Sequence, residues 1–296
     1  MSLSTIAVTG GNGTVGSHLL AHLAEHGYET VNLSRGSCRE EHSDEYVRVD
    51  LTDPGAVHGA LAKADPDAVV HLGMVPTPES NPDHETFESN AQSTWHVLEA
   101  AEAQGIERVA LASSLCAVGA GFEPEPVTHP YFPIDEETPP TPSTSYGVGK
   151  QTLEVVADGF GRREGAPTQI ASLRYPWVTT EADIRETFVE SDRSLDAVQQ
   201  FDDWVSKRNT LFTYIHIDDA VRATRLAVET DLDGHERFFL SAPDTNLETP
   251  TADVLDECFP DTECRRNFEA YEALVDTSKA QDVLGWEAEK RWRDGT

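Results

Sequence analysis

Thr5-Ile6-Ala7-Val8-Thr9-Gly10-Gly11-Asn12-Gly13-Thr14-Val15-Gly16 is the stretch whose reading decides the fold. Its first five residues are β-branched or small and apolar, as in a buried strand. Leu19, Leu20 and Leu23 follow at helical spacing, closed by Gly27. Between strand and helix stand Gly10, Gly13 and Gly16. They serve in turn the tight turn, the close approach of backbone to a pyrophosphate, and close helix–strand packing. The helix N-terminus adds N–H donors and partial positive charge. In that position the triplet reads as a dinucleotide-binding turn rather than a plain surface turn, with Asn12, Thr14 and Val15 beside the phosphates.

The rhythm continues outward. Strands are expected at Thr30 to Leu33, Tyr46 to Val49, Asp67 to Leu72 and Arg108 to Ala112, with a helix from Ala91 to Gln104 stopped by Gly105. Strand–helix alternation at this spacing implies right-handed βαβ units on a parallel sheet, hence an α/β, Rossmann-type doubly wound fold with a small C-terminal substrate-binding cap. The stretch from Glu123 to Ser145 holds seven prolines and reads as a long functional loop. After it come a helix from about Gly147 to Arg163 and a strand at Gln169 to Leu173. A helical, acidic region from Thr179 to Arg208 follows, then strands at Leu211 to Ile217 and Arg237 to Leu240. Residues 1–175 are expected to form the dinucleotide-binding domain, with 211–235 returning to it, and 176–296 mostly the cap.

The 296 residues are 38% hydrophobic and carry a net charge of −31, from 53 acidic and 22 basic residues. A surface this acidic repels phosphate backbones, which argues against a nucleic-acid partner. Self-repulsion on this scale weakens the compact state in dilute buffer and is screened at molar salt, so the composition resembles that of proteins from extremely halophilic archaea. The sequence has no run of 18 apolar residues and no basic flank to its N-terminal apolar stretch, so neither a membrane span nor a secretory signal is expected. Cys38, Cys116, Cys258 and Cys264 form no C-x-x-C pair, as befits a reduced, cytoplasmic protein.

At the end of the second strand, where NAD sites usually place an acid, the chain reads Asn32-Leu33-Ser34-Arg35-Gly36. Arg35 can grip a 2′-phosphate bidentately and Ser34 can donate to it, so NADP is expected, with NAD possible. Tyr146 and Lys150 stand four residues apart on one helical face, where the lysine charge is expected to lower the tyrosine pKa for proton transfer. Ser114 closes the fifth strand, at the sheet end where open α/β folds bind ligands. His18, His22 and His26 read as solvated rather than as metal ligands, because no carboxylate or cysteine completes a site. Cys116 lacks an activating base and reads as pocket lining rather than a nucleophile.

Together these motifs resemble the extended short-chain dehydrogenase/reductase superfamily, the NAD-dependent epimerase/dehydratase family. The resemblance runs through Gly10-x-x-Gly13-x-x-Gly16, Asp50-Leu51, Val70-His71-Leu72-Gly73, Asn90, Ser114, Tyr146 and Lys150, Leu173-Arg174-Tyr175-Pro176, and Ile215-His216-Ile217-Asp218-Asp219. It implies Ser114, Tyr146 and Lys150 as catalytic residues. It also implies Asp50, Leu51, Leu72, Gly73, Met74, Asn90, Tyr146, Lys150, Tyr175, Pro176 and Val178 at the cofactor. Ser114, Leu115, Cys116, Tyr146, Trp177 and Arg185 are the residues implied at the substrate. Leu284-Gly285-Trp286 is similar to the uronate and aldose dehydrogenase branch. Uronate dehydrogenases, however, follow the serine pair with Asn-His, where this chain has Leu115-Cys116, which favours a neutral sugar. Nucleotide-sugar enzymes carry an arginine just before the Tyr-Ile-His strand. Here the strand has none, and Arg208 lies a few residues upstream. The resemblance implies a homodimer built through a four-helix interface. Trp95, Leu98 and Ala101, with Leu153, Val156 and Phe160, read equally as that interface or as core.

Oxidation of the C1 hydroxyl of a small sugar with NADP is the activity expected. A nucleotide-sugar epimerase or dehydratase is the alternative. A non-catalytic NADP-binding regulator needs no complete Ser114, Tyr146 and Lys150 set.

Overall fold

The computed structural model describes residues 3–77 and 81–294. Its elements run β1 (Thr5–Thr9), α1 (Thr14–Glu25), β2 (Glu29–Ser34), β3 (Glu45–Arg48), α2 (Pro54–Ala64), β4 (Ala68–His71), α3 (Asp83–Gln104) and β5 (Arg108–Ser114). A 3₁₀ turn at Leu115–Val118 precedes β6 (Tyr131–Phe132), α4 (Ser145–Gly161), β7 (Gln169–Tyr175) and β8 (Trp177–Thr179). Next come α5 (Glu181–Ile184), a π turn at Arg185–Val189, α6 (Leu195–Val198), α7 (Trp204–Asn209), β9 (Tyr214–His216) and α8 (Ile217–Glu229). The last elements are β10 (Gly234–Phe239), α9 (Thr251–Cys258), β11 (Glu263–Cys264) and α10 (Ser278–Leu284).

Seven strands pair in the order β10-β7-β5-β4-β1-β2-β3, all parallel, which is the expected α/β doubly wound sheet. Side-chain alternation along each strand decides which helices cover which face. Ile6 and Val8 join Leu19, Leu20 and Leu23 of α1 with Val221 of α8 and Leu284 of α10. Ala7, Val31 and Leu33 turn the other way, onto Leu61 of α2, Leu98 of α3 and Leu153 of α4. The chain leaves β1 toward β2 and β3, then returns to β4 on the other side, so a crevice opens at the carboxyl ends of β1 and β4. A further apolar cluster of Leu115, Phe132, Leu195, Phe212, Leu255 and Leu274 knits the cap segments together beyond the ends of the strands.

The structure departs from the sequence reading in several places, with α8, α9, α10, β8 and β11 among the elements the sequence did not lead one to expect. Helix α2 was not expected, although Asp53 caps it by accepting from the Ala56 N–H and Pro54 opens it. Helix α3 begins at Asp83, eight residues before Ala91, with Asp83 and Glu85 in its first turn. The proline-rich loop contributes β6, which pairs with β11 from the far end of the chain. The expected strand from Leu211 to Ile217 shrinks to β9, because Leu211 (φ +57) and Phe212 (φ +55) turn the chain through the left-handed region. β9 pairs with β8, outside the main sheet.

The apolar stripes on α3 and α4 divide. Leu98, Ala101, Leu153 and Phe160 lie in this chain's own core, whereas Trp95 is 42% exposed.

Candidate active site

The glycine loop closes as its chemistry requires. Gly10 has φ +72, and a Cβ there would lie 2.8 Å from the Gly73 backbone. A Cβ on Gly16 would collide with the Gly10 carbonyl oxygen, which is what brings α1 so close to β1. Gly13 caps α1 without a side chain, so the first-turn N–H groups have no partner of their own. They face a cleft of 760 Å³ lined by Gly10, Asn12, Gly13, Thr14, Val15 and Gly16, with Ser34, Arg35, Asp50, Leu51, Leu72, Gly73 and Met74. An uncapped helix N-terminus over a glycine turn, in a cleft of this size, fits a dinucleotide.

Within that cleft Asn12 organises the turn. Its amide donates to the Arg35 and Ser37 carbonyls, and its Oδ1 accepts from the Arg39 N–H at 3.0 Å. The Ser34 hydroxyl accepts from the Asn12 N–H and donates to Asn32 Oδ1 at 2.7 Å, so its proton is already committed within the protein. The cations at this end are Arg35 and Arg39, both exposed, and the sequence reading missed Arg39. Asn90 lies outside the lining of the cleft. It is fully buried, accepts from the Val75 N–H at 2.8 Å and donates to the Val75 carbonyl, and so pins the loop after β4.

His71, also missed, fastens the same loop from the other side. The Thr9 hydroxyl accepts from the Leu72 and Gly73 N–H groups, both at 3.1 Å, and lies 2.7 Å from His71 Nδ1. With both N–H groups donating to it, Thr9 must donate onward to Nδ1, which leaves the imidazole proton on Nε2 for Ser93 Oγ at 3.2 Å. Burial holds His71 down to about 3, so the ring is neutral.

A second cavity of 570 Å³ shares Val15, Leu72, Met74 and Pro76 with the cleft, so the two adjoin. Ser114, Tyr146 and Lys150 all line it, with Leu115, Cys116, Tyr175, Pro176, Trp177 and Val178. Helix α4 is capped by Thr144, whose hydroxyl accepts from the Gly147 N–H at 3.1 Å, and this sets Tyr146 and Lys150 at its mouth. Ser114 Oγ accepts from the Cys116 N–H at 3.1 Å, at the end of β5. The Lys150 ammonium donates to the Ala112 carbonyl at 2.6 Å and sits 5.4 Å from the Tyr146 ring centre.

Burial acts on both of the α4 groups. It lowers Lys150 to about 8 and pushes Tyr146 above the ordinary tyrosine value, while a hydrogen bond with Ser114 pulls the phenol the other way. This corrects the expectation that Lys150 depresses the tyrosine: its charge is spent on a carbonyl, and desolvation dominates.

Cys116 is buried and its thiol is pushed up, as for a lining residue. Arg185 is exposed and does not line the cavity, because Ile184 and Phe188 take the inward positions of its turn. The arginine that does line it is Arg193, which the sequence reading passed over. Arg208 donates to the Val127 and Cys258 carbonyls at 2.9 and 2.7 Å and lies 4.3 Å from the Phe259 ring, engaged away from the cavity. The four cysteines are free, and among the described residues no helix is long and apolar enough to cross a membrane.

Comparison with known proteins agrees with this fold. An L-arabinose 1-dehydrogenase (NAD(P)(+)) of Haloferax volcanii is 29% identical over 195 residues, covering 64% of this chain and 73% of the relative. A UDP-glucose 4-epimerase of Rhizobium meliloti is 28% identical over 97% of this chain and 93% of its own length. Among solved structures, the Thermus thermophilus UDP-glucose 4-epimerase in complex with NAD superposes with TM-score 0.69 at 23% identity, over 98% of this chain and 96% of that one. The profile of the NAD dependent epimerase/dehydratase family matches residues 6–239, so the chain belongs to that family.

Proposed function

We propose that this chain is an NADP-linked dehydrogenase that oxidises the C1 hydroxyl of a small sugar. The observation that carries the reading is that Ser114, Tyr146 and Lys150 line one cavity, and that this cavity adjoins the cleft fitted to a dinucleotide. Residues 1–175 hold the cofactor, and 176–296 shape most of the substrate side. Asp50, Leu51 and the Leu72–Met74 loop flank the cleft, and Arg35 and Arg39 meet the 2′-phosphate. Bound NADP supplies the hydride acceptor. Ser114 orients the sugar hydroxyl, and Tyr146, once ionised, takes its proton. Lys150 presents its ammonium to the nicotinamide ribose.

The relative from Haloferax is by name an aldose 1-dehydrogenase, which supports the substrate class. A nucleotide-sugar epimerase is the second reading, supported by relatives that match almost end to end. It is weakened by Arg208, the one cation that the sequence offered for a diphosphate, being engaged by backbone carbonyls. The test is absorbance of NADPH after mixing protein, NADP and a panel of free and phosphorylated sugars in molar salt. Net reduction of cofactor supports the dehydrogenase. Turnover of a nucleotide sugar without net reduction refutes it.

The same reading has the protein at work in the cytoplasm of a salt-adapted cell, as a homodimer through α3 and α4, where Phe87, Trp95 and Val155 stand exposed.

A further inference from the structure

The cavity is not electrically uniform. Its sheet side carries Ser114, Tyr146 and Lys150, and its cap side carries Arg193, Lys207 and Asn246. Arg193 is 3% exposed, in a chain whose net charge is −31. Its Nε donates to the Asn246 carbonyl at 2.9 Å and its Nη2 to Asn246 Oδ1 at 2.6 Å. Both partners are neutral, and among the described residues Nη1 has no hydrogen-bond partner. The Phe188 ring lies 5.3 Å from the guanidinium carbon. Glu248 accepts from the Arg193 backbone N–H at 3.3 Å but, like Asp203, acts on the guanidinium only through space, and Asp203 is paired with Lys207 at 3.0 Å. A buried guanidinium without a paired carboxylate is costly, and desolvation lowers Arg193 to about 10. Two of its nitrogens are held rigid by one asparagine, and the residue lines the cavity. That is the arrangement of a preformed anion receptor, which a planar guanidinium suits better than an ammonium.

We propose that Arg193 binds an anionic group of the substrate, a phosphate or carboxylate on the carbon chain away from the hydroxyl that Tyr146 deprotonates. Lys207 and Asp203, paired in the same wall, offset each other and leave the guanidinium as the uncompensated charge, and Asn246 Nδ2 offers a neutral donor beside it. The proposal rests on the sugar-oxidation reading and moves its substrate from neutral aldoses to anionic sugars.

Two measurements separate the proposal from that reading. Equilibrium binding to the NADP-loaded Tyr146→Phe protein, which holds the cofactor but barely turns over, is followed by tryptophan fluorescence, since Trp177 lines the cavity. The probes are a hexose, its 6-phosphate, the corresponding uronate and a UDP-hexose, all at one salt concentration. Steady-state rates of NADPH formation are measured on the same panel with Tyr146 intact. The hexose 6-phosphate or the uronate is expected to bind about 10- to 100-fold more tightly than the neutral hexose, the range of charge-assisted hydrogen bonds. Whichever of the two gains more identifies the anion. Arg193→Gln should remove most of that ratio by raising KM for the anionic sugar with little change in kcat, and Arg193→Lys should restore part of it. Equal binding of neutral and anionic sugars overturns the proposal, whether or not any is oxidised. So does an Arg193→Gln variant that weakens both equally. Turnover of the UDP-hexose without net reduction would overturn the dehydrogenase reading, while the binding ratio would still decide the role of Arg193.

Discussion

Tyr146 is the residue on which the proposed chemistry turns. Burial raises its pKa, so at neutral pH the resting phenol is protonated and the reactive fraction grows as pH rises. Turnover should therefore climb along an alkaline limb, about tenfold per pH unit while Tyr146 titrates. Tyr146→Phe should lower kcat by roughly 10²- to 10⁴-fold and abolish the limb, with cofactor affinity little changed. A variant that kept both rate and limb would transfer the proton-accepting role to another group. At the other end of the cleft, Arg35→Asp replaces attraction with repulsion at the 2′-phosphate. The NADP-to-NAD affinity ratio, measured by fluorescence titration, should fall about 10- to 100-fold. Arg39 should retain the remainder, and adding Arg39→Asp should lower the ratio again. A ratio indifferent to both substitutions would remove the arginines from the site.

Helix α4 explains how the site stays aligned. Tyr146, Lys150, Glu154 and Asp158 follow one another at i+4, so a single helical face carries the proton chemistry at its start and a charge network further along. Glu154 is buried and takes Ser113 Oγ at 2.6 Å, Arg174 through both oxygens at 2.9 and 2.8 Å, and Arg237 at 3.0 Å. Asp158 extends the network to Arg237 and to His235 at 2.8 Å. These contacts tie α4 to β5, β7 and β10, beside the strand end that carries Ser114. Glu154→Gln leaves the buried Arg174 without its counter-charge, and such losses cost about 3–5 kcal/mol. Urea titration in molar potassium chloride should show a destabilisation of that size. A shift below about 1 kcal/mol would mean that Arg174 finds another carboxylate.

At the scale of the whole molecule the dominant quantity is charge. Most of the 53 acidic residues cannot find one of the 22 basic partners, so the folded chain repels itself in dilute buffer. At about 1 M salt the Debye length falls to about 3 Å and the repulsion is screened. The melting temperature should rise steeply between dilute buffer and molar potassium chloride. A melting temperature flat across that range would count against salt adaptation.

The sequence alone was enough for the sheet, the glycine turn and the placing of Tyr146 and Lys150 on one helical face, because these depend on local chemistry, whereas the meeting of Ser114 with that pair in one cavity belongs to the fold. Strand alternation, a glycine triplet between strand and helix, and an i+4 pair on a helix all act over a few residues. Helix α2 is equally legible, since Asp53-Pro54 opens it. Other features were decided only by the tertiary structure. Leu211 and Phe212 look like strand residues, and only the packed chain shows that they turn. His71 gains its role from Thr9 and Ser93, and Glu154 from arginines on two other strands. Arg193 and Arg185 cannot be told apart as letters in an acidic stretch. Burial beside Asn246 sets one in the cavity wall, while Ile184 and Phe188 turn the other out to solvent. Tyr146 and Lys150 were found by their spacing, but the direction of their pKa shifts was not, because desolvation is a property of everything packed around a group and of nothing in its own neighbourhood of sequence.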